Sequence, residues 1–116
     1  MSDLFASSIA PEKVLSTKHR VHPVAGDSME PTFRGGLDYA LIAPVQCFRG
    51  DGVYLIDAGS SIELYRVSAT LSGLRLARDN PIYGDNFVAR DVFDDHVLGI
   101  VVAEIRVYDE RFLRDT

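Results

Sequence analysis

Ser28 is the residue around which chemistry could be built. It lies in Gly26-Asp27-Ser28-Met29-Glu30-Pro31-Thr32, where a Gly-Asp turn is followed by a proline that redirects the backbone. An apolar, strand-like run from Val21 to Ala25, with His22 and Pro23 inside it, leads into the turn. A serine placed where a strand ends and the chain bends can display its hydroxyl outward. The chemistry open to it is attack on a carbonyl, provided a neighbouring base accepts the proton. Taken alone, a Gly-Asp-Ser turn is far more often just a turn.

The elements that must position this serine are short strands with turn punctuation. After Val21 to Ala25, Pro31 to Gly36 reads as a turn or short helical piece. Leu37 to Ala43 is an apolar strand stopped by Pro44, and Arg49-Gly50-Asp51-Gly52 is a strong turn. Val53 to Ala58, Ile62 to Ala69 and Leu74 to Arg78 follow as strands, separated by Gly59-Ser60 and Ser72-Gly73. Asp79-Asn80-Pro81 and Gly84-Asp85-Asn86 punctuate a loop. Val97 to Tyr108 is a long apolar strand whose Gly99 suggests a bend or bulge. Helical periodicity over more than three turns is absent. The expected fold is mostly β, a small antiparallel sheet or partly open barrel. Its expected domain spans 19–110, preceded by a connecting arm over 1–18 and followed by a tail over 111–116.

Bulk properties narrow the function. The chain has 116 residues, 47% hydrophobic and 25% charged, which suits one ordinary globular domain. No apolar run nears the roughly 20 residues that span a bilayer, and the first residues lack the basic region of a signal peptide. A formal net charge of −5 makes the domain itself a poor grip for a phosphate backbone. The single cysteine, Cys47, excludes an internal disulfide, reads as a small packed thiol, and fits a cytoplasmic setting. No His/Cys/Asp cluster has metal-ligand spacing, so neither metal nor cofactor is expected.

The heptad at Gly26 to Thr32 resembles the nucleophile box of the Ser-Lys peptidases related to LexA, to phage repressor C-terminal domains and to type I signal peptidases. The resemblance extends along the chain. Arg49-Gly50-Asp51-Gly52-Val53-Tyr54-Leu55, then Tyr65-Arg66-Val67, then Gly73-Leu74-Arg75-Leu76, Asp79-Asn80-Pro81-Ile82-Tyr83 and Val97-Leu98-Gly99-Ile100-Val101-Val102 follow the family's order. It implies the LexA C-terminal type of fold. It also implies Ser28 as nucleophile, with Gly26, Asp27, Met29, Pro31 and Arg66 shaping the pocket.

The family's base is missing. Tyr65, 37 residues after Ser28, stands where the family has its lysine, and the only lysines, Lys13 and Lys18, both precede Ser28. A phenol starts near pKa 10, so about one part in a thousand is ionised at neutral pH. Arg66 stays charged and cannot accept a proton. His22 precedes Ser28 on the same strand, and His96, beside Asp94 and Asp95, reaches it only through an unexpected fold; both read as surface or core-edge histidines. Tyr65 is expected to fill the lysine channel, its hydroxyl within reach of Ser28. Self-cleaving relatives are cut in an upstream arm, often at Ala-Gly. Here Ala-Gly occurs at Ala25-Gly26, beside Ser28, where it cannot fold back as substrate, and at Ala58-Gly59, downstream of Ser28; neither lies in an upstream arm.

The resemblance therefore implies a C-terminal oligomerisation and regulatory domain of a phage-repressor-like or LexA-like transcriptional regulator, as in the SOS response, with its peptidase lost. Its expected partner is a second copy, paired through a sheet edge or the last strand, Ile100 to Tyr108. DNA is expected only through a separate helix-turn-helix domain, and membrane is not expected. The alternatives are an active serine peptidase with a non-lysine base, or a homodimeric accessory subunit resembling the SOS mutagenesis polymerase partner.

Overall fold

A computed structural model describes residues 18–113. Its strands are β1 (Arg20–Pro23), β2 (Asp38–Pro44), β3 (Gly52–Asp57), β4 (Ile62–Thr70), β5 (Gly73–Ala77), β6 (Asn86–Val88) and β7 (Val97–Arg106), with one helix, α1 (Arg90–His96), before β7. A short 3-10 turn, Glu110–Leu113, follows β7. The strands form one open sheet in the order β1-β2-β7-β3-β4-β5-β6, and every pairing is antiparallel. The mostly β expectation is met as an open sheet, with β1 and β6 as edges instead of a closed barrel. Nearly all of the expected arm lies outside the described residues.

Side-chain alternation along β3 explains why the sheet is covered twice. Val53 and Leu55 join Ala40, Ile42 and Leu64 in one core cluster, while Tyr54 and Ile56 join Tyr65, Val67, Leu74 and Leu76 in another. The first is closed by Val24, Met29 and Phe33 from the serine segment. The second is closed by Phe93, the one buried residue of α1, whose ring meets Tyr54 edge-on at 5.2 Å. Fully burying side chains of this size contributes about 1.5–3 kcal/mol each. Met29 and Phe33 thus hold the serine segment on one face, and Phe93 holds α1 on the other.

The long last strand contains the irregularity expected at Gly99. Leu55 pairs with Gly99 but Ile56 pairs with Val97, so Leu98 is the extra residue of a bulge. A side chain at Gly99 would meet Ile42 and the carbonyl of Ala43 at 2.3 and 2.7 Å, so the closeness of β2 also requires glycine there. Beyond Ile100, β7 runs on past β3 and pairs with β2 alone, Leu41 to Ala103 through Asp38 to Arg106. At its end Arg34 clamps the buried Asp38 through two side-chain bonds and donates a third to the carbonyl of Val107.

Two sequence expectations are corrected, and one stretch to which the sequence assigns no element is filled. Cys47 is exposed, because the chain turns out after Pro44 and it is Val45 and Phe48 that pack inward. The unassigned stretch, Arg90–His96, is a helix, and Asp94 accepts a hydrogen bond from the Phe48 amide at 3.2 Å. The last strand ends at Arg106, two residues early.

Candidate functional site

The serine segment leaves β1 through Val24, whose amide donates to the carbonyl of Asp38. Gly26 takes φ +71°, a conformation costly for any residue with a side chain. Its carbonyl lies so close to Gly35 that a β-carbon there would sit 1.7 Å away. Met29 then buries its side chain to 2% exposure and the Phe33 amide donates to its carbonyl, closing a turn from Met29 to Phe33. Ser28 is left half-buried at the start of that turn.

The loop after β5 holds the segment from outside. The Asn80 amide donates to the Ser28 carbonyl at 2.9 Å and its side-chain amide donates to the Asp27 carbonyl at 3.0 Å. The Tyr83 hydroxyl donates to the Asp27 carboxylate, which raises the phenol pKa. Thr32 donates to Asp79, and Arg66 grips the same carboxylate through Nε and Nη2 at 2.6 and 2.8 Å. The Arg66 guanidinium holds the Asp79 pKa below its ordinary value. Arg66, expected to shape the pocket, thus acts through Asp79 and Thr32.

Ser28 opens into a cavity of about 350 Å³ between two walls. His22 to Gly26, Ser28 and Met29 line one wall, and Ser61 to Leu64 line the other. Tyr65 is not in that lining. It lines a second cavity, of about 390 Å³, with Phe87, Val92, Phe93 and His96. The physical cause is the period of two along β4: Leu64 packs with Met29, and Tyr65 packs with Tyr54 and Phe93. The Tyr65 hydroxyl accepts from Arg78 at 2.6 Å, and the Arg78 guanidinium stacks 4.2 Å from the Tyr65 ring. The expected contact from Tyr65 to Ser28 is therefore not made; Arg78 has taken the hydroxyl.

Arg78 is the residue that sequence reasoning missed. Its side chain is 14% exposed and pairs with Glu63 at 2.8 Å, while Glu63 also accepts from Ser61 at 2.7 Å. Glu63, Tyr65 and Arg78 meet only through the register of β4 on β5, which no local motif displays. Asn80 and Tyr83 carried a signal within Asp79-Asn80-Pro81-Ile82-Tyr83, but their grip on Asp27 and Ser28 was not legible there. Gly26, Asp27, Met29 and Pro31 all belong to the serine segment, whose Glu30–Pro31 peptide is cis. Among the described residues, no group of three His, Cys, Asp or Glu is placed to hold a metal ion, and no helix is long and apolar enough to cross a membrane.

No protein-family model matches the chain. It is similar to the 26 kDa repressor protein of Escherichia phage HK022, 28% identical over 94 residues. That match covers 80% of this chain and 40% of the repressor. The chain thus spans about two-fifths of the length of the curated relative it matches and is similar to a phage repressor over most of its own.

Proposed function

We propose that this chain is the C-terminal oligomerisation and regulatory domain of a repressor-like transcriptional regulator of the LexA type, in which lysine-dependent self-cleavage is lost. The observation that carries the reading is the outer half of β7. Among the described residues, Val101 to Arg106 pairs only with β2, leaving one backbone edge open. Around that edge Val102, Ile105, Tyr108 and Phe112 are exposed, at 51%, 36%, 94% and 82%. An open, apolar strand edge is a template for pairing with another chain. A second copy, related by a two-fold axis, covers it with the same surface.

Two such domains hold two DNA-binding domains together, which raises apparent affinity without a new DNA contact. DNA is then reached through a separate helix-turn-helix domain, in the cytoplasm. The similarity to a phage repressor supports this role. In this reading Ser28 is the vestigial nucleophile and Tyr65 marks the place of the lost lysine. Gly26, Asp27, Met29, Pro31 and Arg66 remain because they shape the fold of the segment.

The test is a fusion of this chain to a helix-turn-helix domain that binds a palindromic operator only when paired. The expected result is operator binding restored to a level that falls when Ile105→Arg or Tyr108→Glu is introduced. A fusion that binds no better than the DNA-binding domain alone would contradict the proposal.

A further inference from the structure

The cavity on the α1 side of the sheet belongs neither to the serine segment nor to the open strand edge. Its floor is buried and apolar, made by Ile56, Tyr65, Leu76 and Phe93. Two apolar side chains on its walls, Phe87 of β6 and Val92 of α1, stay exposed. At about 390 Å³ it lies toward the small end of ligand pockets, a volume that takes one small molecule whole.

Its polar groups gather at one end. Ile56 pairs with Val97, so the next residue on each side, Asp57 and His96, comes to the same end of the cavity, and both line it. One Asp57 oxygen accepts from the Gly59 amide at 2.9 Å, and among the described residues the other takes no hydrogen bond or ion pair. Nδ1 of His96 lies 2.9 Å from the Val92 carbonyl, an acceptor, so that nitrogen carries the proton and Nε2 of the neutral ring keeps a lone pair. The atoms left over, a carboxylate oxygen and an imidazole nitrogen, both call for a donor. Among the described residues no lysine or arginine lines the cavity, and Asp57 is its one formal charge. Arg78 stacks on Tyr65 but stands outside the lining, its charge paired with Glu63.

From this arrangement we propose that the cavity binds a small organic cation, a primary ammonium carried on an aromatic or branched aliphatic body. The ammonium meets Asp57 and His96, and the body lies on the apolar floor and covers Phe87 and Val92, which otherwise face water. The faces of aromatic rings favour a cation as well. An anion would meet Asp57 with no positive group to offset it, and a neutral molecule would leave the charge pair unmade. The site is independent of the pairing of two copies and of Ser28.

The experiment is a titration of the ¹⁵N-labelled full chain with three molecules of one shape, 2-phenylethylammonium, 2-phenylethanol and phenylacetate, read by amide chemical shifts. The ammonium should bind with a Kd of about 1 mM, the alcohol about tenfold more weakly, and phenylacetate more weakly still. The shifts should centre on Asp57 to Gly59, Asn86 to Val88 and Val92 to His96. Asp57→Asn keeps an acceptor for the Gly59 amide and should bring the ammonium down to the affinity of the alcohol, while leaving the alcohol unchanged. Phe87→Ala should weaken both by a similar factor, and Ser28→Ala neither. The proposal is overturned by no shifts at about ten times the expected Kd, by shifts centred on Gly26 to Met29, by equal affinity for phenylacetate, or by an ammonium preference that survives Asp57→Asn. A lysine-containing peptide bound in preference to the free ammonium would assign the cavity to a protein partner and overturn it too.

Discussion

Replacing Tyr65 by lysine puts the family's base back at its place in the chain, and the structure predicts that this alone fails. The substitution removes an aromatic ring that is 7% exposed and stacked against Arg78 at 4.2 Å. It also removes the hydroxyl that accepts from the guanidinium at 2.6 Å. A cation–π contact of this kind contributes up to about 2 kcal/mol when desolvated, and a hydrogen bond to a charged group about 1.5–3 kcal/mol. The two share one pair of residues, so their joint loss is on the order of 2–4 kcal/mol rather than the sum. The new ammonium meets Arg78, and at about 4 Å two like charges cost about 4 kcal/mol at an effective dielectric of 20. Glu63, paired to Arg78, offsets part of that. Urea unfolding of Tyr65→Lys should therefore show a midpoint lower by about 1–2 M, from a slope of about 1–3 kcal/mol per M. Incubation with a supplied Ala-Gly peptide should give no cleavage, because position 65 faces the α1 side of the sheet and Ser28 the other cavity. A variant as stable as the parent that cuts the peptide would refute this placement of Tyr65.

Other outcomes follow from the same contacts. Phe33→Ala should cost about 3–5 kcal/mol, seen as a fall in melting temperature, since Phe33 is 3% exposed beneath the serine segment. Gly35→Ala should cost more than the usual 1–3 kcal/mol of overpacking, because its β-carbon would fall 1.7 Å from the Gly26 carbonyl oxygen; a melt matching the parent would contradict that. Asp38 and Asp79 have folded-state pKa values below the ordinary 3.8, each held down first by its hydrogen-bonded arginine. Below 3.8 the unfolded chain binds protons that the folded chain does not, so stability is present above that pH and is lost as pH falls through the lowered values. Thermal melts between pH 7 and pH 2 should show this loss, and Arg66→Gln should flatten the share due to Asp79.

Much of the fold was written in turn residues and alternation. Gly-Asp, Gly-Ser and Ser-Gly pairs bounded β3, β4 and β5 to within a residue or two, and Gly99 announced the bulge in β7. What escaped was short or nonlocal. Seven residues of α1 bury one side chain, Phe93, so no helical period develops, and β6 is a three-residue edge. The serine segment was legible as a local pattern because its turn, its proline and its Met29 anchor are all consecutive. The surroundings of Tyr65 were not, because a single step along β4 separates the residue facing Met29 from the one facing Phe93. Counting residues located position 65 but could not show that Arg78, thirteen residues later and on the flank of β5, takes its hydroxyl. Nor could counting show that His22, read as a surface or core-edge histidine, lines one cavity with Ser28.

The central claim is that the open edge of β7 joins two copies, and sedimentation equilibrium of the full 116-residue chain over micromolar concentrations tests it most directly. The account predicts a mass twice the 12.8 kDa of one chain, returning to 12.8 kDa in Ile105→Arg. A parent chain that stays at 12.8 kDa up to millimolar concentration would contradict it.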